Sequence, residues 1–271
     1  MKHVNLSAYS DVENLSRFTD ESFKNYCADK LLHCANEVGH VKRNLIDDQW
    51  TGKICEIGSG NSKLLYRFEQ EGLLTKGYGI EVSRSRYLFA EKFKDHIGSK
   101  NVENINQDFL ELVPYKNLDL VISVDITFQL IAALNNQAET QGLRWIYDSL
   151  RPGGSIILEL RYFEEFSSRI SETTKDYKFW EEFPAHDPFE FVLAKISRDE
   201  KNLLVWEKNF FERNSMKRSR FTNIFKPYNH DTVKTALTNA GFKSIEFSKN
   251  WLDSDDENAT RKDIFIVRAK K

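Results

Sequence analysis

The run Glu56-Ile57-Gly58-Ser59-Gly60-Asn61 places a carboxylate and two glycines at the end of an apolar stretch containing Ile54, Cys55 and Ile57. Two glycines one residue apart permit backbone angles and close approaches that a Cβ forbids. From Ser62 to Gly72, Leu64, Leu65 and Phe68 share one helical stripe. A buried strand, a Gly-x-Gly turn and a helix N-terminus together make a site for a nucleotide-type cofactor. Two histidines carry the side chain suited to taking a proton near neutral pH. They are His186, in Phe183-Pro184-Ala185-His186-Asp187, and His230, in Tyr228-Asn229-His230-Asp231. His3, His33, His40 and His96 read as structural or exposed. Asp125 follows the apolar run 118–124 and is either a site carboxylate or a helix cap.

The elements that must position these residues alternate. Strands are expected at 53–57, 76–82, 102–106, 118–124 and 155–161, with helices at 62–71, 84–96, 128–136 and 138–150. That order predicts βαβ units and a parallel sheet with right-handed crossovers. Arg151-Pro152-Gly153-Gly154 ends a helix and turns into the next strand. Beyond Arg161 the chain becomes aromatic and acidic, with Tyr162, Phe163, Phe166, Tyr177, Phe179, Trp180 and Phe183. Runs at 189–197 and 202–211 read as a hairpin, and 220–228 as a third antiparallel strand. A helix at 231–240, stopped by Gly241, and strands at 243–248 and 264–268 close the pattern. Upstream, Thr19-Asp20-Glu21 starts a long helix with Phe23, Cys27, Leu31, Ala35 and Val38 on one face. This helix either packs on the sheet edge or covers the glycine turn; Leu6, Tyr9, Leu15 and Phe18 before it could cover something as well.

The division expected is an N-terminal helical lid or cap (1–50), a cofactor-binding core (51–161), an antiparallel acceptor-side insert (162–228) and a C-terminal helix with strands completing the sheet (229–271). Among 271 residues, 40% are hydrophobic and 30% charged, with a formal charge of -2. That balance gives no general attraction to nucleic acid or anionic membrane. Three cysteines without a C-x-x-C pair suit a reducing compartment. The N-terminus lacks the apolar core of a signal peptide, and Asp119, Asp125 and Gln129 interrupt the longest apolar run. A cytoplasmic location is expected, which makes the Asn258-Ala259-Thr260 sequon accidental.

In order and spacing, four features resemble class I S-adenosylmethionine-dependent methyltransferases, of small-molecule type. Glu56-Ile57-Gly58-Ser59-Gly60 is similar to the acidic-x-Gly-x-Gly turn of that family. Glu81 falls where the family places a carboxylate against the ribose, and Asp108-Phe109 resembles the pair that reads the adenine. Leu118 to Ser123 with Pro152-Gly153-Gly154 resembles the fourth strand and the turn before the fifth. The resemblance covers about residues 53–161 and the Ala240-Gly241-Phe242 turn. It implies an α/β, Rossmann-like, mostly parallel seven-stranded sheet flanked by helices, with an antiparallel β insert between strand 5 and the last helix. It also implies S-adenosylmethionine as cofactor, S-adenosylhomocysteine as product, and Glu56, Gly58, Ser59, Gly60, Glu81, Asp108, Phe109 and Val124 as cofactor-binding. A nicotinamide dinucleotide is the rival, but its fingerprint wants a third glycine where this chain has Lys63.

The resemblance implies methyl transfer by in-line displacement, in which the protein aligns the acceptor and removes its proton. His186, His230 and Asp125 are the catalytic candidates; Arg161, Tyr162 and Trp180 are the acceptor-binding ones. The basic run Arg213, Lys217, Arg218 and Arg220 could hold a phosphate or carboxylate, or be a solvated loop. No acidic cluster around the fourth strand suggests a metal. After that strand stands Ser123-Val124-Asp125-Ile126-Thr127, not the Asn/Asp-Pro-Pro-aromatic motif of base or amide methylation. The expected acceptor is a hydroxyl or amine of a small molecule, sugars favoured, with no membrane or nucleic acid partner and a possible homodimer. The alternatives are an RNA or protein methyltransferase recruited by a partner, or an inactive cofactor-binding subunit.

Overall fold

The computed structural model describes residues 12–135, 137–162, 169–170, 172–215, 217–252 and 264–271. Leu6, Tyr9, Phe163, Phe166 and the Asn258-Ala259-Thr260 sequon lie outside the described residues. The most apolar run forms the central strand: β4 (Leu118–Ser123) is buried along its whole length. Parallel neighbours flank it, β1 (Lys53–Ile57) on one side and β5 (Leu150–Arg161) on the other. Beyond β1 lie β2 (Lys76–Ile80) and β3 (Val102–Ile105), also parallel. On the opposite side β11 (Ile264–Lys270) runs antiparallel to β5 and to β10 (Lys243–Ser248). The sheet order is β10-β11-β5-β4-β1-β2-β3, the mostly parallel seven-stranded sheet expected.

Helices cover both faces, as a sheet with two apolar faces requires. On one side α3 (Lys63–Gln70) and α4 (Arg84–Ile97) are joined by α1 (Asp20–Leu32) and α2 (Ala35–Asn44). Their core holds Phe23, Tyr26, Val41, Leu65, Phe68, Phe89 and Phe93. On the other side α6 (Ala138–Ser149) and α7 (His230–Asn239) bury Leu143, Trp145, Ile146, Val233 and Leu237. Thr19 caps α1 reciprocally with Ser22, and Asn229 caps α7 with Thr232, so both starts lie where the cap chemistry puts them. The single N-terminal helix expected is two, broken at His33-Cys34. That break turns Val38 and Val41 onto the α3 side of the core.

The insert is a separate four-stranded antiparallel sheet: β6 (Asp176–Glu182), β7 (Phe189–Arg198), β8 (Leu204–Glu212) and β9 (Arg218–Phe225). Three of these were legible; β6 was not, because its mixed aromatic and acidic residues do not alternate cleanly. One face packs on α5 (Thr127–Ala132) through Ile126, Leu130, Ala194, Ile196, Leu204, Trp206 and Phe225. Gln129, fully buried, fastens the insert to the core. Its amide accepts from the Arg161 N–H at 2.8 Å and donates to the carbonyls of Arg161 and Lys226. Among the described residues no helix is long and apolar enough to cross a membrane.

Candidate functional site

The carboxyl ends of β1, β2 and β4 open into a cleft lined by Gly58, Glu81, Arg86, Asp108, Phe109 and Thr127 among others. Two glycines shape its wall for different reasons. Both have positive φ, 69° at Gly58 and 57° at Gly60, a region costly for side chains with a Cβ. A Cβ on Gly58 would collide with Thr127, and one on Gly60 would meet the Arg86 guanidinium. Thr127 and Arg86 therefore rest directly on bare backbone, which is what the Gly-x-Gly spacing provides.

Glu81 holds that turn. One carboxylate oxygen accepts from the Gly60 N–H at 2.9 Å and the other from the Ser83 N–H at 2.7 Å. Each oxygen keeps a further lone pair for a ligand hydroxyl. Asp108 uses Oδ1 to cap the short helical turn Phe109–Glu111, accepting from the Leu110 N–H at 3.0 Å. Phe109 is locked edge-on against Trp145, ring centroids 5.4 Å apart, and Gly142 leaves room for the tip of its ring. Leu130, Ile131 and Leu134 form the facing apolar wall. Sequence reasoning did not select these three or Arg86, because a leucine or arginine on a helix carries no mark of its site.

Glu56 is buried to 1% exposure and its Oε2 has no hydrogen-bond partner among the described residues. Burial pushes its carboxyl up to about 8, with Lys63 and Arg86 pulling the other way and Glu81 and Glu37 adding to the rise. A buried carboxyl without a partner is costly unless a ligand supplies one. Beside the turn, Glu13 is a residue the sequence did not flag. It accepts from Asn61 at 2.6 Å, from Tyr26 at 3.0 Å and from Arg86 at 3.1 Å. The segment ahead of α1 is thereby tied to the glycine turn. Ser59 is buried and accepts from the Ser62 hydroxyl, while Val124 packs with the α3-side core rather than lining the cleft.

A second, larger cavity lies between the sheet edge, the N-terminal helices and the insert, with Lys63, Glu159, Arg161, Phe179, Glu181 and Trp206 on its walls. Arg161 joins it, and its Nε lies 3.5 Å from Asp125. Asp125 itself adopts positive φ, 57°, immediately past β4, so the chain turns sharply at the carboxyl edge. The remaining acceptor-side residues are placed elsewhere. Tyr162 packs against Phe265 and His230. Trp180 is 62% exposed on the outer face of the insert, where the strand alternation puts it opposite Leu193. His186 lies 3.5 Å from Asp29 of α1 and beside the Tyr26 ring. His230 begins α7 among Phe247, Phe265 and Tyr162. Neither histidine lines either cavity. Arg213 donates to the carbonyls of Phe183, Pro184, Asp187 and Phe189 and locks the β7 hairpin. Arg220 pairs with Glu207.

The insert carries a side chain that sequence reasoning passed over. On β8 the inward positions are Leu204, Trp206, Lys208 and Phe210; the cross-strand neighbours of Lys208 are Ala194 and Phe221. Lys208 is the charged exception on an apolar face. The signal was available, since a lysine at an inward position of a strict alternation is a polar residue where a strand wants an apolar one.

No protein-family model matches the chain. It is 26% identical over 211 residues to a carboxy-S-adenosyl-L-methionine synthase from Nautilia profundicola, covering 78% of this chain and 77% of that protein. A solved S-adenosylmethionine-dependent methyltransferase from Clostridium acetobutylicum superposes with a TM-score of 0.69 at 14% identity, over 91% of this chain and 96% of that one. An amino pentose methyltransferase of calicheamicin biosynthesis from Micromonospora echinaspora, solved with S-adenosylmethionine bound, superposes at 0.62 and 12% identity, covering 90% and 91%. The fold is thus the Rossmann-like fold of class I methyltransferases.

Proposed function

We propose that this chain is an S-adenosylmethionine-dependent methyltransferase acting on a hydroxyl or amine of a small molecule, with a sugar or sugar derivative favoured. The observation that carries the reading is the first cleft. There Glu81 is tied to a Gly-x-Gly turn, and Asp108 and Phe109 stand on the next strand end. The residues fit the cofactor on one count in particular: the buried Glu56 Oε2, which has no hydrogen-bond partner among the described residues. Glu81 would accept from the ribose hydroxyls, Asp108 from the adenine amine, and Phe109 would flank the purine. Arg86 would meet the carboxylate of the amino-acid tail and Glu56 its ammonium. When bound, the cofactor supplies the electrophilic methyl group. The acceptor would enter from the second cavity, where Asp125 and Arg161 stand at the carboxyl edge. Of the cap expected at 1–50, the described residues 12–50 are tied to the turn through Glu13. The sugar preference draws on the amino pentose methyltransferase among the structural neighbours.

One observation favours a second reading. The sequence relative is named for making a carboxylated form of the cofactor, so the chain could act on S-adenosylmethionine itself. Incubation with methyl-deuterated S-adenosylmethionine and a panel of sugars and amines, and in parallel with a panel of carboxylic acids as carboxyl donors whose carboxyl group would replace one methyl deuterium, followed by mass spectrometry, tests both. Label appearing in an acceptor supports methyl transfer. A heavier, carboxylated cofactor with no labelled acceptor supports the second reading.

A further inference from the structure

We infer that Glu13 is a positioning residue for the cofactor site: it aims the Arg86 guanidinium, across the bare backbone of Gly60, at the carboxylate of a bound amino-acid tail. This rests on the reading that the first cleft takes S-adenosylmethionine. The Glu13 carboxylate is buried and divided between two tasks. Its Oε2 accepts from Arg86 Nε at 3.1 Å. Its Oε1 accepts from the Asn61 amide at 2.6 Å and from the Tyr26 hydroxyl at 3.0 Å. Asn61 in turn accepts from the Lys63 N–H at 3.2 Å, which joins Glu13 to the first residue of α3, just past the glycine turn.

Glu13 is itself fixed from both sides. Its backbone takes a φ of 55°, a conformation that a glutamate keeps only where its surroundings impose it. The neighbouring Val12 carbonyl accepts from the Ser85 hydroxyl at 2.7 Å, and Arg17 pairs with Glu212 of the insert at 3.1 Å. Arg86 lines the cleft, and its Nη2 is the atom nearest to where a Cβ on Gly60 would stand, 2.5 Å away. A guanidinium is planar and carries its donors in a fixed fork, so a grip on Nε sets the direction of the rest. An arginine anchored before the ligand arrives also loses less freedom on binding. Glu13 offsets the charge of Arg86, so the pair selects a carboxylate by donor geometry more than by net charge. Removing the Glu13 charge strengthens the pull of Arg86 on an anion, whereas removing its grip lets the fork turn away. Of the two, the grip dominates.

The test is calorimetry on the full chain with two ligands. One is S-adenosylhomocysteine; the other is 5′-deoxy-5′-methylthioadenosine, which has the adenine, ribose and sulfur but no amino-acid tail. Glu13→Gln is expected to weaken S-adenosylhomocysteine by about fivefold or more and to leave the tail-less ligand within about twofold. Arg86→Ala should show the same selectivity, and adding Glu13→Gln to it should cost nothing further, because the group to be aimed is gone. Arg86→Lys leaves Glu13 untouched and keeps the charge without the fork. It too should lose S-adenosylhomocysteine selectively, a readout available even if Glu13→Gln fails to fold. Unchanged or tighter S-adenosylhomocysteine binding by Glu13→Gln would overturn the inference. So would equal weakening of both ligands, the mark of a merely structural role. Full additivity in the double variant, or undiminished binding by Arg86→Lys, would overturn it as well. Each of these results leaves the methyltransferase reading standing, since the wild type still binds S-adenosylhomocysteine. A wild type that binds neither ligand sinks that reading, and this inference with it.

Discussion

Replacing Glu56 by Gln should make the free protein more stable and its cofactor complex weaker, two effects of opposite sign from one atom. At pH 7 an unfolded glutamate near 4.5 has lost its proton, whereas the buried carboxyl, pushed up to about 8, has kept it. Each unit of separation is worth about 1.4 kcal/mol, so the wild type forgoes up to ~3 kcal/mol at that pH. Water entry and local relaxation reduce this to about 1–3 kcal/mol. A glutamine has the same shape and no proton to hold. The variant should gain that amount, a rise of about 2–4 °C in melting temperature per kcal/mol. A raised folded value means that the stability from Glu56 is whole below about 4.5 and lost as pH rises towards 8. The advantage of Glu56→Gln should therefore vanish at pH 4 and be greatest at pH 8. Denaturant titrations across that range measure it. Calorimetry with S-adenosylhomocysteine should show an affinity about 10–100-fold lower, the worth of a hydrogen bond to a charged group. A variant less stable than wild type at pH 8, or a difference that ignores pH, would refute the reasoning about burial. Unchanged affinity would remove Glu56 from the cofactor's ammonium.

Glu81→Ala frees the Gly60 and Ser83 amides as well as losing the ribose contact, so S-adenosylhomocysteine affinity should drop by about 1–3 kcal/mol in calorimetry. Asp119→Asn should cost about 2–4 kcal/mol in urea melts. Burial pushes that carboxyl up, but hydrogen bonds from Thr51, Arg151 and Lys53 overcome it and hold the value below the ordinary aspartate range. Its contribution is present above the unfolded value near 3.9 and lost as pH falls through the folded one. His186→Ala and His230→Ala should each leave S-adenosylhomocysteine binding intact. Only a true base would lower turnover, and the placement of both rings outside the cavities predicts little loss in either.

The parallel core was legible because it obeys local rules. Buried strands read as apolar runs, and Gly58 and Gly60 announce a turn whose φ values only glycine takes easily. Glu81 and Asp108 fall at strand ends, so spacing alone brought them to the cleft. The insert was harder. Trp180 and Phe179 are neighbours in sequence, yet the pleat sends the first to solvent and the second to the cavity wall. Composition cannot tell such neighbours apart; the register, set by Phe179 opposite Ala194, does. Glu13, Arg86 and Lys208 went unseen for a related reason. Glu13 and Arg86 meet across 73 residues of chain, and Lys208 takes its inward place from the register of its own sheet. Lysine and arginine are commonly solvated, and only packing distinguishes the exceptions.

Which cofactor the glycine turn accepts decides between the two nucleotide chemistries it could serve. Calorimetric titration with S-adenosylhomocysteine, with NADH as control, measures it. A saturable one-to-one heat with S-adenosylhomocysteine and none with NADH is expected. Binding of NADH alone would contradict it, because the turn would then serve a dinucleotide despite Lys63 at the third glycine position.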